Sequence, residues 1–252
     1  MSLLEAKEIT KRFAGITALD QVSIDVEPGE IVGLIGPNGA GKTTFFNCLL
    51  GMLKPDEGSV RFDGHDLTRV PTHRRARLGI GRTFQRIELF AEMTPREHLL
   101  VAERVRRGDG ALWKDLLGRG RPKADELARV EETIALLGLD DVADRPIEAL
   151  SLGRGRVVEV GRALMTQPSL LLLDEPSSGL DHHETLELAN KLREVNEKRG
   201  AAILLVEHDV EMVRSLVTRV FVLDFGTLIA SGPTDEVFAQ AAVRRAYLGD
   251  VR

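Results

Sequence analysis

Glu30-Ile31-Val32-Gly33-Leu34-Ile35-Gly36-Pro37-Asn38-Gly39-Ala40-Gly41-Lys42-Thr43-Thr44 is the stretch whose reading decides the fold. It begins as an apolar run of strand length and leads into Phe45-Phe46-Asn47-Cys48-Leu49-Leu50, which reads as helix. Between the two lies G-x-x-x-x-G-K-T, a phosphate-binding loop in its strand-to-helix setting. Gly36, Gly39 and Gly41 allow positive φ and bring backbone N–H groups within reach of phosphate oxygens. Lys42 suits the β- and γ-phosphates, the Thr43 hydroxyl suits Mg²⁺, and the helix start adds its positive dipole end. The residues from Gly36 to Thr44, namely Gly36, Pro37, Asn38, Gly39, Ala40, Gly41, Lys42, Thr43 and Thr44, are therefore the expected contacts of a nucleoside triphosphate.

Outward from the loop, the 252-residue chain is long enough to bury a full core without staples. Its single cysteine, Cys48, excludes a disulfide framework and reads as a small buried hydrophobe on the helix after the loop. A net charge of −5 argues against a general nucleic-acid surface, so no nucleic-acid partner is expected. The start, MSLLEAKEITKRF, lacks a signal-like apolar core, and runs such as Leu170 to Leu173 are far short of the roughly 20 residues a membrane span needs.

Strands are read at Leu3–Ile9, Ala18–Val26 and Ser59–Phe62, then helical periodicity from Thr72 to Gln167, with amphipathic stretches at Pro95–Arg107, Lys123–Leu137 and Gly155–Met165. Strands return at Leu170–Leu173, Ala201–Val206 and Val220–Leu223, with a helix at Glu184–Arg199. Continuous apolar strands separated by helices indicate a parallel sheet buried on both faces. The expected fold is thus an α/β P-loop core with a parallel sheet, an N-terminal antiparallel β subdomain and a helical insertion subdomain. The core and β subdomain would span 1–85 and 168–252, the helical part 86–167. The segment around Trp113, with RRGDG and GRGRPK, reads as a solvated basic loop.

The strand Leu170-Leu171-Leu172-Leu173-Asp174-Glu175-Pro176 supplies the other half of an ATPase site. Asp174 would approach Mg²⁺, and Glu175 would orient or polarise the attacking water. Gln85, in Arg82-Thr83-Phe84-Gln85, is placed to reach both metal and water, which makes it a catalytic and metal candidate. Ser151 and Gly153, in ALSLGRGRVVEVGRAL, begin a helix suited to an anion. Ser177-Ser178-Gly179-Leu180-Asp181 follows the catalytic strand directly, and His208 ends a strand where its imidazole can meet the γ-phosphate.

Together these residues resemble the ATP-binding cassette (ABC) ATPases, over nearly the whole chain. The resemblance implies ATP and Mg²⁺ as ligands, with Thr43, Gln85 and Asp174 at the metal. It also implies head-to-tail dimers, in which Ser151 and Gly153 of one subunit contact the γ-phosphate at Lys42 of another and Asp181 lines the interface. Phe13 matches the position where the family stacks an aromatic on adenine, with a core phenylalanine as the other reading. The family's LSGGQ departs here at Leu152 and Arg154, and a leucine tolerates positive φ poorly. His182 and His183 read as a solvated helix start, and His73-Arg74-Arg75-Ala76-Arg77 as an exposed helix face.

Within that family, Gly79 to Glu103, the insertion around Trp113 and the tail from Val206 to Asp250 resemble the ATPase subunits of bacterial branched-chain amino acid importers. The implied partners are transmembrane permease subunits, a second ABC ATPase, identical or related, and, indirectly, an extracytoplasmic solute-binding protein. The implied location is the cytoplasmic face of the membrane, as a peripheral subunit. Arg86 to Pro95 is where the family docks a membrane-subunit helix, and Ile87, Leu89, Phe90 and Met93 either form that groove or pack inside the helical lobe. Lipopolysaccharide-export ATPases share much of the pattern. A chromosome-maintenance ATPase would need long heptads between Gln85 and Ser151, a translation factor two cassettes, and a small-molecule kinase would leave Ser151 to Gly155 without a purpose.

Overall fold

The computed structural model describes residues 2–83, 88–107 and 122–248. Gln85, Ile87 and Trp113 lie outside them. The chain opens with β1 (Leu4–Phe13) and β2 (Ile16–Val26), an antiparallel pair, then β3 (Ile31–Ile35), α1 (Lys42–Leu50), β4 (Glu57–Phe62) and β5 (His65–Asp66). Next come α2 (Thr72–Arg77), β6 (Ile80–Arg82), α3 (Pro95–Arg107), α4 (Ala124–Leu137) and α5 (Leu152–Leu164). The C-terminal part holds β7 (Leu170–Asp174), α6 (His182–Arg199), β8 (Ala202–Glu207), α7 (Val210–Leu216), β9 (Arg219–Asp224), β10 (Thr227–Pro233), α8 (Thr234–Ala239) and α9 (Ala241–Leu248).

Among the described residues there are two sheets. The antiparallel one runs β2-β1-β4-β5; the larger runs β10-β9-β3-β8-β7-β6, parallel except for its β10 edge. The leucine run of β7 shows why this sheet is central. Leu171 and Leu173 enter the apolar cluster built with α3 to α6, whereas Leu170 and Leu172 enter the one built with α1 and the antiparallel sheet. Side chains alternate across a strand, so only a strand covered on both faces can be apolar at every position. Each buried leucine contributes about 1.5–3 kcal/mol.

Two expectations need correction. The span read as helical from Thr72 contains β6, which pairs in parallel with β7 at Ile80 to Leu170. Three residues, one of them Gly81, carry too little alternation to announce a strand. The basic run on α2 is not an exposed face throughout, because Arg75 is 2 % exposed. Its guanidinium donates to Cys48 O at 2.9 Å, Leu49 O at 2.6 Å, Leu67 O at 2.5 Å and Val70 O at 2.8 Å. It thereby serves carbonyls at the C-terminal end of α1, the usual task of a basic group there. Among the described residues no helix is long and apolar enough to cross a membrane.

Candidate functional site

The turn from β3 to α1 is forced by its glycines. Gly36 has φ 153°, and a Cβ there would lie 2.2 Å from Leu223 O, so the loop can approach β9 only without a side chain. Gly41, the N-cap of α1, has φ 101°, and its Cβ would meet Ala18 O at 2.7 Å. The loop borders a cleft of about 490 Å³ lined by Asn38 to Thr44, by Ile16, Thr17 and Ala18 of β2, by Glu175, and by Phe225 and Gly226. Lys42 is buried, and its ammonium donates to Gly36 O at 2.6 Å and Pro37 O at 3.0 Å. Burial pushes its pKa down, opposed by the negative charges of Glu175, Asp174 and Glu207.

Parallel pairing puts the ends of β3, β7 and β8 side by side, so residues far apart in sequence meet at one edge. Asp174 closes β7, buried, and its pKa is raised by burial and then by the adjacent Glu175 charge, with Arg82 and Lys42 opposing. Glu175 lines the cleft at φ 46°, a left-handed conformation held by its N–H donating to Val206 O at 2.9 Å. His208, just beyond β8, brings Nδ1 to 3.8 Å from Glu175 Oε1, with its side chain half exposed. The hydroxyl of Thr43 and the carboxylate of Asp174 are hard oxygen donors of the type Mg²⁺ takes. No cluster of three or more His, Cys, Asp or Glu side chains suited to a metal occurs among the described residues.

Ser151 and Gly153 are not brought to this cleft within the chain. They open a second groove of about 360 Å³, at the N-terminus of α5, with Gly138, Arg154 and Glu184. Ser151 is the N-cap, its side chain accepting from Arg154 N at 3.3 Å. Leu152 is the first residue of α5 and has no positive φ, so the strain expected of a leucine at this position does not arise. Arg154 donates to Gly138 O at 2.6 Å, tying α5 to the C-cap of α4. Asp181 caps α6, accepting from Glu184 N at 2.8 Å. His182 and His183 are exposed beside Glu211 and Glu187, as read.

Phe13 is 42 % exposed, which removes the core reading, and it pairs across the β1–β2 turn with the cleft residue Ile16. Leu89 packs on the helical core, while Phe90 is 70 % exposed and stacks on His98. Cys48 is buried, its thiol pushed up to about 11 by burial. Sequence reasoning missed Phe225, whose turn between β9 and β10 reaches the cleft, and the buried Glu207. The acid directly before His208 was the available signal for Glu207.

A glycine-rich loop on a helix N-terminus, a buried aspartate and a glutamate at the edge of a parallel sheet define a P-loop ATPase. The chain belongs to the ABC transporter family, whose description matches residues 19–178. It is 39 % identical over 251 residues, 98 % of each chain, to the high-affinity branched-chain amino acid transport ATP-binding protein LivG of Escherichia coli K12. It is 36 % identical, again over 98 % of each, to the protein BraF of Pseudomonas aeruginosa, which carries the same description. The solved ADP conformation of MJ1267, an ATP-binding cassette of an ABC transporter, superposes with a TM-score of 0.86 at 34 % identity, covering 99 % of this chain and 100 % of that one. The chain is thus an ATP-binding, ATP-hydrolysing member of a family that serves membrane transporters.

Proposed function

We propose that this chain powers import of branched-chain amino acids or related small solutes, as one of two ATPases paired head to tail beneath transmembrane permease subunits. It would sit as a peripheral subunit on the cytoplasmic face of the membrane. An extracytoplasmic binding protein would reach it only through the permeases. The observation that carries this reading is the separation of two half-sites in one chain: Lys42, Glu175 and Thr43 line one cleft, Ser151 and Gly153 the other groove. A head-to-tail pair would complete both at once. The relatives LivG and BraF support the solute class.

In this scheme the loop amides and Lys42 hold the phosphates, and Phe13 stacks on the base. Glu175 orients water, and His208 donates to the γ-phosphate. Thr43, Asp174 and Gln85 would hold Mg²⁺, which when bound neutralises charge developing on the phosphates. Because each ATP is gripped by both subunits, binding favours the closed pair and hydrolysis releases it.

Steady-state ATPase assays with size-exclusion chromatography test the roles. Glu175→Gln should bind ATP and remain as a long-lived dimer, and His208→Ala should slow hydrolysis by roughly 100-fold. Wild-type turnover in either variant contradicts its role. Tagged purification from native membranes tests the partners: permeases and a solute-binding protein support import, whereas recovery with lipid-export components or ribosomes contradicts it.

A further inference from the structure

Glu207, the last residue of β8, is fully buried and has no part in the scheme above. Its carboxylate is nonetheless saturated. Oε1 accepts from Ser177 N at 2.9 Å and Ser177 Oγ at 2.5 Å, and Oε2 accepts from His208 N at 2.9 Å and Asp209 N at 3.2 Å. Three of these donors are backbone N–H groups, so only an acceptor can stand here. Pairing of β7 with β8 does not require this link, since the ladder already closes at Asp174 with Val206 and Glu175 N donates to Val206 O. The carboxylate acts just beyond the ladder, where the chain after Glu175 and the chain carrying His208 leave the sheet. The His208 ring nitrogen Nδ1 lies 3.8 Å from both Glu175 Oε1 and Glu207 Oε2.

We infer that Glu207 is a positioning residue for hydrolysis: it fixes the His208 backbone against the turn after Glu175, so that His208 addresses the γ-phosphate attacked by the water that Glu175 orients. The inference rests on the proposed role of His208 at the γ-phosphate. Misplacing a reacting group by about 1 Å costs up to a hundredfold in rate.

The test is a double-mutant cycle on the full chain, with kcat expressed per nucleotide-competent site and the Kd of a fluorescent ATP analogue measured alongside. Glu207→Gln keeps the shape but turns an amide NH₂ toward a donor on one side. It should lower kcat about ten-fold and leave the analogue's Kd within about two-fold. The Glu207→Gln, His208→Ala double variant should be no slower than His208→Ala, because Glu207 acts through that residue. Multiplying losses, or a wild-type kcat in Glu207→Gln, would overturn the inference. A wild-type kcat in His208→Ala would instead overturn the underlying role of His208, and the inference with it. If Glu207→Gln does not fold, Ser177→Ala replaces it in the cycle: a smaller loss that is not additive with His208→Ala supports the inference, and an additive or absent loss rejects it.

Discussion

The backbone N–H of Gly153 donates to Oε1 of Glu184 at 3.3 Å, and a Cβ on Gly153 would lie 2.9 Å from the Glu184 carboxyl carbon. The amide proposed to meet a partner's γ-phosphate is therefore engaged inside its own chain, by a residue that also completes the capping box of α6. Closure of the proposed dimer would exchange this carboxylate for phosphate, two negative groups competing for one amide. Glu184→Gln keeps an acceptor for the cap and removes the charge. In a Glu175→Gln background it should tighten ATP-driven dimerisation by roughly five-fold, as removal of like-charge repulsion requires. Sedimentation velocity with ATP checks this, and unchanged or weaker association contradicts it.

Arg75 is a stability determinant with no role at the cleft. Burial pushes its guanidinium down to about 10, yet it satisfies carbonyls from α1 and from the segment between β5 and α2. Arg75→Ala should destabilise the fold by about 3 kcal/mol, since four carbonyls, Leu49 O among them, lose a charged donor and a buried side chain is emptied. Chemical denaturation is the measurement, and a loss under about 1 kcal/mol contradicts it.

Asp174 binds its proton more tightly in the folded chain because of burial and then Glu175. A carboxyl with a raised folded pKa favours folding below its unfolded pKa, about 3.9, and that contribution is lost as pH rises through the folded value. Without nucleotide, Asp174→Asn should therefore unfold at a higher temperature than wild type at pH 7, with the gap closing as the pH is lowered through the carboxylate range. With ATP and Mg²⁺ only the wild type should gain strongly. A gap that widens toward acid pH contradicts the assignment.

Phe225 and Gly226 close the β9–β10 hairpin with φ 41° and 80°, the positive pair of a tight turn that favours Asn-Gly. Phe225 is 88 % exposed and packs little. Phe225→Asn should raise stability by about 1 kcal/mol, read as a higher urea midpoint. A lower midpoint would mean that the exposed ring contributes more than its backbone strain costs.

Much of the site is local chemistry and was readable as such. Gly36 to Thr44 specify their own turn, and an apolar run ending in Asp174-Glu175 can only be a buried strand presenting acids at its end. The long helices were found because their periodicity extends over many residues. Strand β6 was not found, because Ile80-Gly81-Arg82 becomes a strand only by lying against β7. The extension of β1 to Phe13 likewise depends on its pairing with Ile16.

What the amino-acid sequence determined by itself is the phosphate loop, the acid pair and the parallel α/β core, since each rests on spacing within a few residues or on a repeated period; the family came from the resemblance of its motifs. What only the tertiary structure decided is which charged groups are buried and whom they serve. Arg75 reads as one of a basic run, and Glu207 lies just past the strand read as Ala201–Val206. Their partners lie 26 to 30 residues away, at Leu49 and Ser177, and are brought near only when the sheet and α1 have packed. A buried charge must find every one of its hydrogen-bond partners, and the packing of distant elements alone can supply them.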